Sequence, residues 1–221
     1  EDRRDLFELY LGGIGVGMKL FLEEVPKGVD PLGEENAVVL SVGCFTGLFP
    51  MASKTVAVFK SPLTGNLGES HAGGRSAVAI RSSGYGAIVI KGASETPVYL
   101  AVHGGKVYFR DASGLWGMRS IYTVGRVIRE LEPGAGMRTI MRIGVAGEKL
   151  VRYATVTTET YRHFGRLGLG AVFGSKKLKA LVVSGKESVR VEKTKDYIKV
   201  YDKIYEAATK SPLMKKYHDL G

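Results

Sequence analysis

The feature that most constrains the fold of this chain is a series of short apolar runs, each bounded by glycine, proline or polar residues. Runs of this length, rich in Val, Ile, Tyr and Phe, are typical of strands. Gly104-Gly105 between two of them predicts a hairpin turn. The sequence therefore predicts a strand-dominated domain, with strands at residues 37–42, 55–59, 87–90, 98–102, 106–110, 139–143, 151–156 and 178–183.

Helical periodicity is confined to a few segments. Residues 12–25 carry apolar side chains at helical spacing and Pro26 ends that pattern, while residues 121–131 show the same period. Residues 193–220 are charged and helix-forming, and Pro212 is suited to open a second helix there. We expect helices in these segments.

Length and composition indicate a folded protein. With 221 residues and 44% hydrophobic residues, the chain can bury one large core or two closely packed halves. No apolar run is long enough to span a bilayer and no secretory segment follows the N-terminus, so we expect a soluble, cytoplasmic protein. The chain begins without methionine and stops at Gly221 after a helical segment, and we expect it to be a fragment.

Cysteine content and charge limit the chemistry. The single cysteine, Cys44, excludes an internal disulfide and cannot alone hold an iron-sulfur cluster or structural zinc. The net charge of +10 favours attraction to nucleic acid, to an anionic surface or to a phosphorylated ligand. Charge alone does not choose among these partners.

The segment 161–170 combines two arginines with three glycines, at Arg162, Gly165, Arg166, Gly168 and Gly170. Backbone amides in such a loop can approach an anion while guanidinium groups clamp it. A tight turn entering a helix, with solvated arginines, explains the same pattern. The glycine spacing does not fit a dinucleotide-binding loop, and a phosphate-binding loop of the Gly-Lys-Ser/Thr type is absent.

A second candidate anion site is the segment 70–75, which we interpret as a loop containing His71, Gly73, Gly74 and Arg75. A lone histidine in a loop is more often an ordinary polar residue than a ligand. Lys54, at the start of a predicted strand, either faces the same ligand or lies on the surface. The sequence shows no nucleophile with its base and no carboxylate pair.

Several blocks, taken together, resemble the N-terminal domain of the aldehyde:ferredoxin oxidoreductase family. They occur in the same order and at similar spacing over nearly the whole chain, which makes coincidence improbable. The blocks are residues 10–13 (YLGG), 29–32 (VDPL), 46–47 (TG), 60–65 (KSPLTG), 84–88 (GYGAI), 110–117 (RDASGLWG) and 170–180 (GAVFGSKKLKA).

The resemblance implies an α+β fold with two β-sheets and flanking helices. It implies a tungsten or molybdenum atom held by two pterin cofactors, tungstopterin or molybdopterin, whose phosphates are bridged by Mg²⁺. Residues 1–190 would bind the pterins, and residues 191–221 would lead to domains that bind a 4Fe-4S cluster. The implied reaction is oxidation of an aldehyde to a carboxylic acid, with ferredoxin as electron acceptor.

The resemblance also implies site residues. The backbone carbonyls of His71 and His163 match Mg²⁺ ligands, a role that any side chain permits. Lys54 replaces a family arginine, which keeps the charge and loses the planar fork, and Ile14 replaces another arginine. The expected cofactor-binding residues are Lys54, His71, Ala72, Gly73, Gly74, Arg162, His163, Gly165 and Arg166.

Two alternatives stay open. The first is a basic nucleic-acid-binding module that stacks bases on Tyr153, Tyr161 and Phe164 beside the arginines of the same segment. The second is a structural relative that has lost the cofactor. For the whole enzyme we expect ferredoxin and a small aldehyde as partners, no nucleic acid, no membrane and a possible homodimer.

Overall fold

The computed structural model of the chain describes residues 1–132, 134, 136–159 and 161–220. The helices are α1 (Arg4–Tyr10), α2 (Gly13–Glu24), α3 (Ser76–Ser82), α4 (Ile121–Leu131), α5 (Val145–Glu148), α6 (Leu169–Ser175), α7 (Thr194–Thr209) and α8 (Pro212–Leu220). The strands are β1 (Val38–Val42), β2 (Thr55–Lys60), β3 (Leu67–Ala72), β4 (Ala87–Ile90), β5 (Val98–His103), β6 (Lys106–Asp111), β7 (Met137–Arg142), β8 (Val156–Thr158), β9 (Arg162–Phe164) and β10 (Leu178–Gly185).

The first sheet has four strands in the order β3-β2-β1-β4. All its pairs are antiparallel, with Leu40 of β1 lying opposite Ala57 on one side and Ile88 on the other. Every residue of β1 is buried, which explains why its sequence is a continuous apolar run rather than an alternating one. Strand β3 lies at one edge of this sheet.

The second sheet has six strands in the order β6-β5-β10-β7-β8-β9. β10 runs parallel to β5 and antiparallel to β7, and the remaining pairs are antiparallel. The predicted hairpin joins β5 to β6, where Gly104 and Gly105 both have positive φ, 58° and 71°. Glycine is favoured in a turn whose two central residues both have positive φ. Strand β9 lies at one edge of this sheet.

The core has three parts, which follow from the two faces of each sheet. One large cluster joins one face of both sheets with α3 and α6, and contains Phe59, Phe164 and Phe173. Helix α2 covers the other face of the first sheet, and α4 covers the other face of the second. The predicted α+β fold with two sheets and flanking helices is therefore confirmed.

The C-terminal helices lie outside this core. α7 and α8 bury none of their described residues, and α8 begins at the predicted proline, Pro212. α7 contacts the rest of the chain where the Tyr197 and Phe49 ring centroids lie 5.4 Å apart. The Tyr197 hydroxyl also donates to the Leu48 carbonyl. The predicted connector role of residues 191–221, of which Gly221 lies outside the described residues, stays a prediction.

The predicted strand at residues 151–156 is wrong except for its last residue. Leu150 has a φ of 56°, and the Ala154 amide donates to the Val151 carbonyl at 2.8 Å, so this segment turns. The Ala154 carbonyl then accepts from the Gly170 amide at 2.9 Å. The amide and carbonyl groups of Ala154 therefore form hydrogen bonds within a turn and with α6, and are not available for pairing with a neighbouring strand.

The structure also contains two strands that we predicted as loops. β3 includes Ser70, His71 and Ala72, and β9 includes Arg162 and His163. Both are rich in polar residues, and they form strands because β2 and β8 provide partners. Pairing with a neighbour outweighs weak intrinsic strand preference. Within the described residues, no helix is both long and apolar enough to cross a membrane.

Candidate functional site

The two predicted anion-binding segments meet at the junction of the two sheets. Edge strand β3 contacts edge strand β9, although the strands belong to different sheets. The Arg166 amide donates to the Ser70 hydroxyl at 3.2 Å, and the Ser61 hydroxyl donates to the Leu167 carbonyl at 2.8 Å. These bonds hold the segment after β9 against the first sheet.

The turn after β3 closely approaches β9. Gly74 has a φ of 94°, and a Cβ atom at this position would lie 3.1 Å from Cγ of Arg162. A Cβ atom at Gly73 would lie 3.9 Å from Nζ of Lys54. Lys54, Gly73, Gly74 and Arg162 are therefore neighbours, which the sequence alone did not establish.

A buried hydrogen bond joins the end of this turn to the start of β2. The hydroxyls of Thr55 and Ser76 are 2.8 Å apart and buried. Thr55 follows Lys54, and Ser76 follows Arg75 at the start of α3. The bond therefore positions the two flanking cations, whose own side chains are exposed.

Strand β3 shows the alternation of a half-buried strand. Ser70 and Ala72 are buried, whereas His71 is exposed and Glu69 is partly exposed. Nε2 of His71 lies 3.5 Å from Oε1 of Glu69. Ala72 is buried as a whole residue, so neither its side chain nor its backbone is open to solvent on this surface.

Strand β9 presents its first two residues to solvent and its third to the core. Arg162 and His163 are exposed, with His163 opposite Thr157 of β8, while Phe164 is fully buried. Gly165 and Arg166 follow and are also exposed. Phe164 thus anchors the strand and leaves both arginines on the surface.

The resulting surface is electropositive. Lys54, Arg75, Arg162 and Arg166 are all exposed, and no ion pair involves any of them within the part of the chain that the structure describes. Guanidinium groups on a fixed backbone bind phosphate through paired N–H groups. The surface is suited to an anion with several oxygens.

Most glycines of the segment 161–170 serve packing rather than ligand approach. A Cβ atom at Gly168 would lie 2.0 Å from the Arg152 carbonyl oxygen, and one at Gly170 would lie 2.5 Å from the Thr155 carbonyl oxygen. Gly174, further along α6, would bring a Cβ atom 1.9 Å from the Gly147 carbonyl oxygen. Of the three glycines in the segment, only Gly165 lies on the exposed surface.

Glu159 is a residue of this region that the sequence analysis did not single out. Its φ is 44°, its Oε1 accepts from the Thr139 hydroxyl, and its buried Oε2 has no hydrogen-bond partner among the described residues. A Cβ atom at Gly74 would lie 3.6 Å from that Oε2 atom. The sequence around this glutamate contains no pattern that would predict its position beside Gly74.

The residues present fit the phosphate groups of a pterin cofactor. Two exposed cations, Lys54 and Arg162, lie beside the Gly73-Gly74 turn, and the backbone of a third exposed cation, Arg166, is bound to Ser70 on the strand before that turn. Both contributing strands are sheet edges, where half of the carbonyl groups are not used by the sheet's own ladder. Within the described ranges, no group of three or more His, Cys, Asp or Glu side chains is arranged to hold a metal ion.

Comparison with solved structures supports the fold. The chain superposes on a chain of the active site complex BamBC of benzoyl coenzyme A reductase, in complex with 1,5-dienoyl-CoA, with a TM-score of 0.85 and 35% identity. The match covers 93% of this chain and 31% of that one.

Curated relatives give a consistent result. The chain is 38% identical over 202 residues to the tungsten-containing aldehyde ferredoxin oxidoreductase of Thermococcus kodakarensis, covering 90% of this chain and 33% of that protein. It is 33% identical over 194 residues to the aliphatic sulfonate oxidoreductase, WOR-like subunit, of Pyrococcus furiosus, covering 82% of this chain and 31% of that protein. The chain thus spans about a third of the length of these relatives.

A family model assigns most of the sequence. The model of the aldehyde ferredoxin oxidoreductase N-terminal domain matches residues 1–185, which includes both sheets and every predicted site residue. The resemblance inferred from the sequence blocks is confirmed. The chain belongs to the aldehyde ferredoxin oxidoreductase family and comprises its N-terminal domain.

Proposed function

We propose that this chain is the pterin-binding domain of a tungsten or molybdenum oxidoreductase that oxidises an aldehyde to a carboxylic acid and passes the electrons to ferredoxin. The observation that carries the proposal is that Lys54 and Arg162 lie beside the Gly73-Gly74 turn, with the backbone of Arg166 bound to Ser70 on the strand before it. Phosphate groups of the cofactor are the anions that this surface would bind. When bound, the metal supplies the two-electron redox chemistry.

Each residue of the surface has a distinct task in this proposal. Arg162 and Arg166 bind phosphate oxygens, and Lys54 contributes a compact charge from the other strand. Gly73 and Gly74 leave the backbone open to the pterin, and Gly165 does the same after β9. Ala72 is buried as a whole residue, and its contact with the cofactor stays a prediction.

The two histidines act through their backbones. His71 and His163 lie on edge strands of different sheets, and in this proposal their carbonyl oxygens would hold a Mg²⁺ ion beside the pterin phosphates. Carbonyl and phosphate oxygens are hard ligands that suit Mg²⁺. Because the β3–β9 contact brings the strands together, one ion can receive a ligand from each sheet.

The substrate, the electron acceptor and the remaining domains are inferred from relatives. Four relatives with 35 to 38% identity are named tungsten-containing aldehyde ferredoxin oxidoreductases, which is why an aldehyde and ferredoxin are proposed. Residues 191–221 would connect to domains that bind the 4Fe-4S cluster. The proposed location is the cytoplasm.

The nucleic-acid alternative loses one of its three stacking residues. Tyr153 and Tyr161 are exposed, but Phe164 is fully buried in the core and presents no face to a base. Only two of the three proposed aromatic rings can therefore stack on bases, which weakens the argument for binding of single-stranded nucleic acid. The basic surface could bind the phosphates of either a pterin or a nucleic acid, so an experiment has to distinguish these two ligands.

The test is cofactor analysis of the full-length protein, produced in a host that makes the pterin and is supplied with tungstate and molybdate. We expect tungsten or molybdenum together with two pterins per metal atom, measured by mass spectrometry of the metal and fluorescence of the oxidised pterin. Arg162→Gln should reduce both at least fivefold, whereas Arg119→Gln, an exposed arginine elsewhere, should leave them unchanged. Folded protein without metal or pterin, or with steeply salt-dependent binding of single-stranded RNA, would overturn the proposal.

A further inference from the structure

A second group of arginines lies on the face of the six-stranded sheet that α4 covers. A cleft of about 290 Å³ opens between α4, strand β7 and Glu159, which directly follows β8. Arg126 and Arg129 of α4, Arg142 of β7, and Tyr122 and Glu159 contribute to its lining. These three arginines are not part of the proposed pterin surface.

Arg142 is a buried cation bound to uncharged groups. It is 2% exposed, its Nε donates to the Ile121 carbonyl at 2.7 Å, and its Nη1 donates to the Ile140 carbonyl at 3.1 Å. Carbonyl groups fix the guanidinium but do not neutralise it. A buried charge of this kind is costly unless a counter-charge reaches it.

Helix α4 is shaped to admit this guanidinium. A Cβ atom at Gly125 would lie 2.9 Å from Nε and 3.1 Å from Nη2 of Arg142. Any larger residue at this position would displace the side chain. Glycine in the middle of a helix is unfavourable, and here it makes room for a charged group in the wall of the cleft.

Like charges accumulate around the cleft. Arg126 and Arg129 are exposed, and neither forms an ion pair with a residue in the described ranges. Burial lowers the pKa of Arg142, and Arg129 lowers it further, while Glu159 and Tyr122 act in the opposite direction. Three arginines thus face one carboxylate, Glu159, whose Oε1 is bound to Thr139.

We propose that this cleft binds the phosphate group of a small phosphorylated compound. Arg142 in the wall and Arg126 and Arg129 at the mouth supply forked donors to its oxygens, and a dianion offsets their mutual repulsion. The cleft is larger than one phosphate group, which leaves space for an organic part beside the exposed ring of Tyr122. Its three arginines are not part of the pterin surface, although Glu159 lies close to Gly74 of that surface as well.

The experiment is calorimetric titration of this chain with adenosine monophosphate, adenosine and inorganic phosphate, at constant ionic strength. We expect adenosine monophosphate to bind at least tenfold more tightly than adenosine, because the phosphate carries the interaction. Tighter binding of adenosine monophosphate than of inorganic phosphate identifies an organic phosphate, and equal affinity identifies free phosphate. Because the pterin surface is also expected to bind phosphate, either result supports the cleft only if the cleft variants weaken the binding. No heat of binding for either compound at millimolar concentration overturns the proposal.

Variants locate the binding. Arg126→Gln combined with Arg129→Gln changes two exposed residues and should raise the dissociation constant at least tenfold, as should Arg142→Gln if it folds. Glu159→Gln should lower that constant, since it removes the opposing carboxylate. Arg119→Gln is the matched control and should leave it unchanged. Equal affinity in the double variant, or tighter binding of single-stranded RNA through the same arginines, would contradict the assignment.

Discussion

Gly74 and Arg162 are in direct contact across the junction of two sheets: a methyl group added at Gly74 would lie 3.1 Å from Cγ of Arg162. The first residue follows the edge strand of the four-stranded sheet, and the second lies on the edge strand of the six-stranded sheet. The candidate cofactor surface is therefore made by the way the sheets meet. Neither sheet contains it alone.

Replacing Gly74 by alanine should destabilise the protein and disturb this junction. Its φ of 94° is unfavourable for any residue with a Cβ atom, at about 1 to 2 kcal/mol, and the new methyl group also presses on Arg162. Gly28→Ala is the matched control, because Gly28 has a φ of 79° with no atom within 4 Å of the added Cβ. Urea unfolding should show a larger loss for Gly74→Ala, and equal losses would refute a role for the Arg162 contact.

Replacing one member of the buried ion pair between Lys179 and Glu148 should lower the free energy of unfolding more than replacing both members. The two side chains form an ion pair, and Oε2 of Glu148 also accepts from the Gly117 amide at 2.8 Å. Lys179→Met leaves a buried carboxylate without its cation and should cost about 3 to 5 kcal/mol. Adding Glu148→Leu to Lys179→Met should recover part of that loss.

A double-mutant cycle by urea unfolding measures the coupling between these two residues. Arg3 and Glu23 form an exposed ion pair at 2.9 Å and serve as the control. Removing one member of that pair should change the unfolding free energy by at most about 1 kcal/mol. A coupling energy for Lys179 and Glu148 no larger than that of the control would contradict the prediction.

Stability should rise with pH above 8 because of Lys176. This side chain is buried and donates to the carbonyls of Glu34 and Gly92 at 2.8 and 2.9 Å, and burial lowers its pKa from 10.5 to about 8. Between these two values the unfolded chain binds the proton more tightly than the folded protein does. Deprotonation therefore favours folding in that window, by at most about 1.4 kcal/mol per pH unit.

Urea unfolding at pH 8, 9 and 10 checks this prediction. The free energy of unfolding of the unchanged protein should rise relative to that of Lys176→Met, in which the titrating group is absent. The exposed change Lys106→Met is the control and should leave the slope unaltered. Parallel pH profiles of the unfolding free energy for the unchanged protein and Lys176→Met would show that burial does not lower the pKa of Lys176.

Much of the fold could be predicted because its elements have local signals. The periodicity of α2 and α4, the proline at the start of α8 and the apolar runs of β1 and β10 each identify an element without reference to distant residues. β3 and β9 carry no such signal, since they contain Gly, Glu, Ser, His and Arg. Their structure comes from the strands beside them, which local sequence does not encode.

The candidate site was predictable in its residue types and not in its assembly. Arginine and glycine in the segments 70–75 and 161–170 indicated anion binding. The bond from the Arg166 amide to Ser70 joins residues 96 positions apart, a relationship that no spacing rule supplies. Glycines at 168 and 170, which had suggested a phosphate cradle, instead let α6 pack against neighbouring backbone.

The short length of β9 has a consequence for how the domain moves. This strand has three residues and is paired on one side, to the equally short β8. Edge segments held by few bonds open locally at a lower free energy than the whole domain needs to unfold. Amide hydrogens of β9 should therefore exchange with solvent well before those of the central strand β10. We therefore expect the surface around Arg162 to open locally at a lower free energy than either sheet needs to unfold.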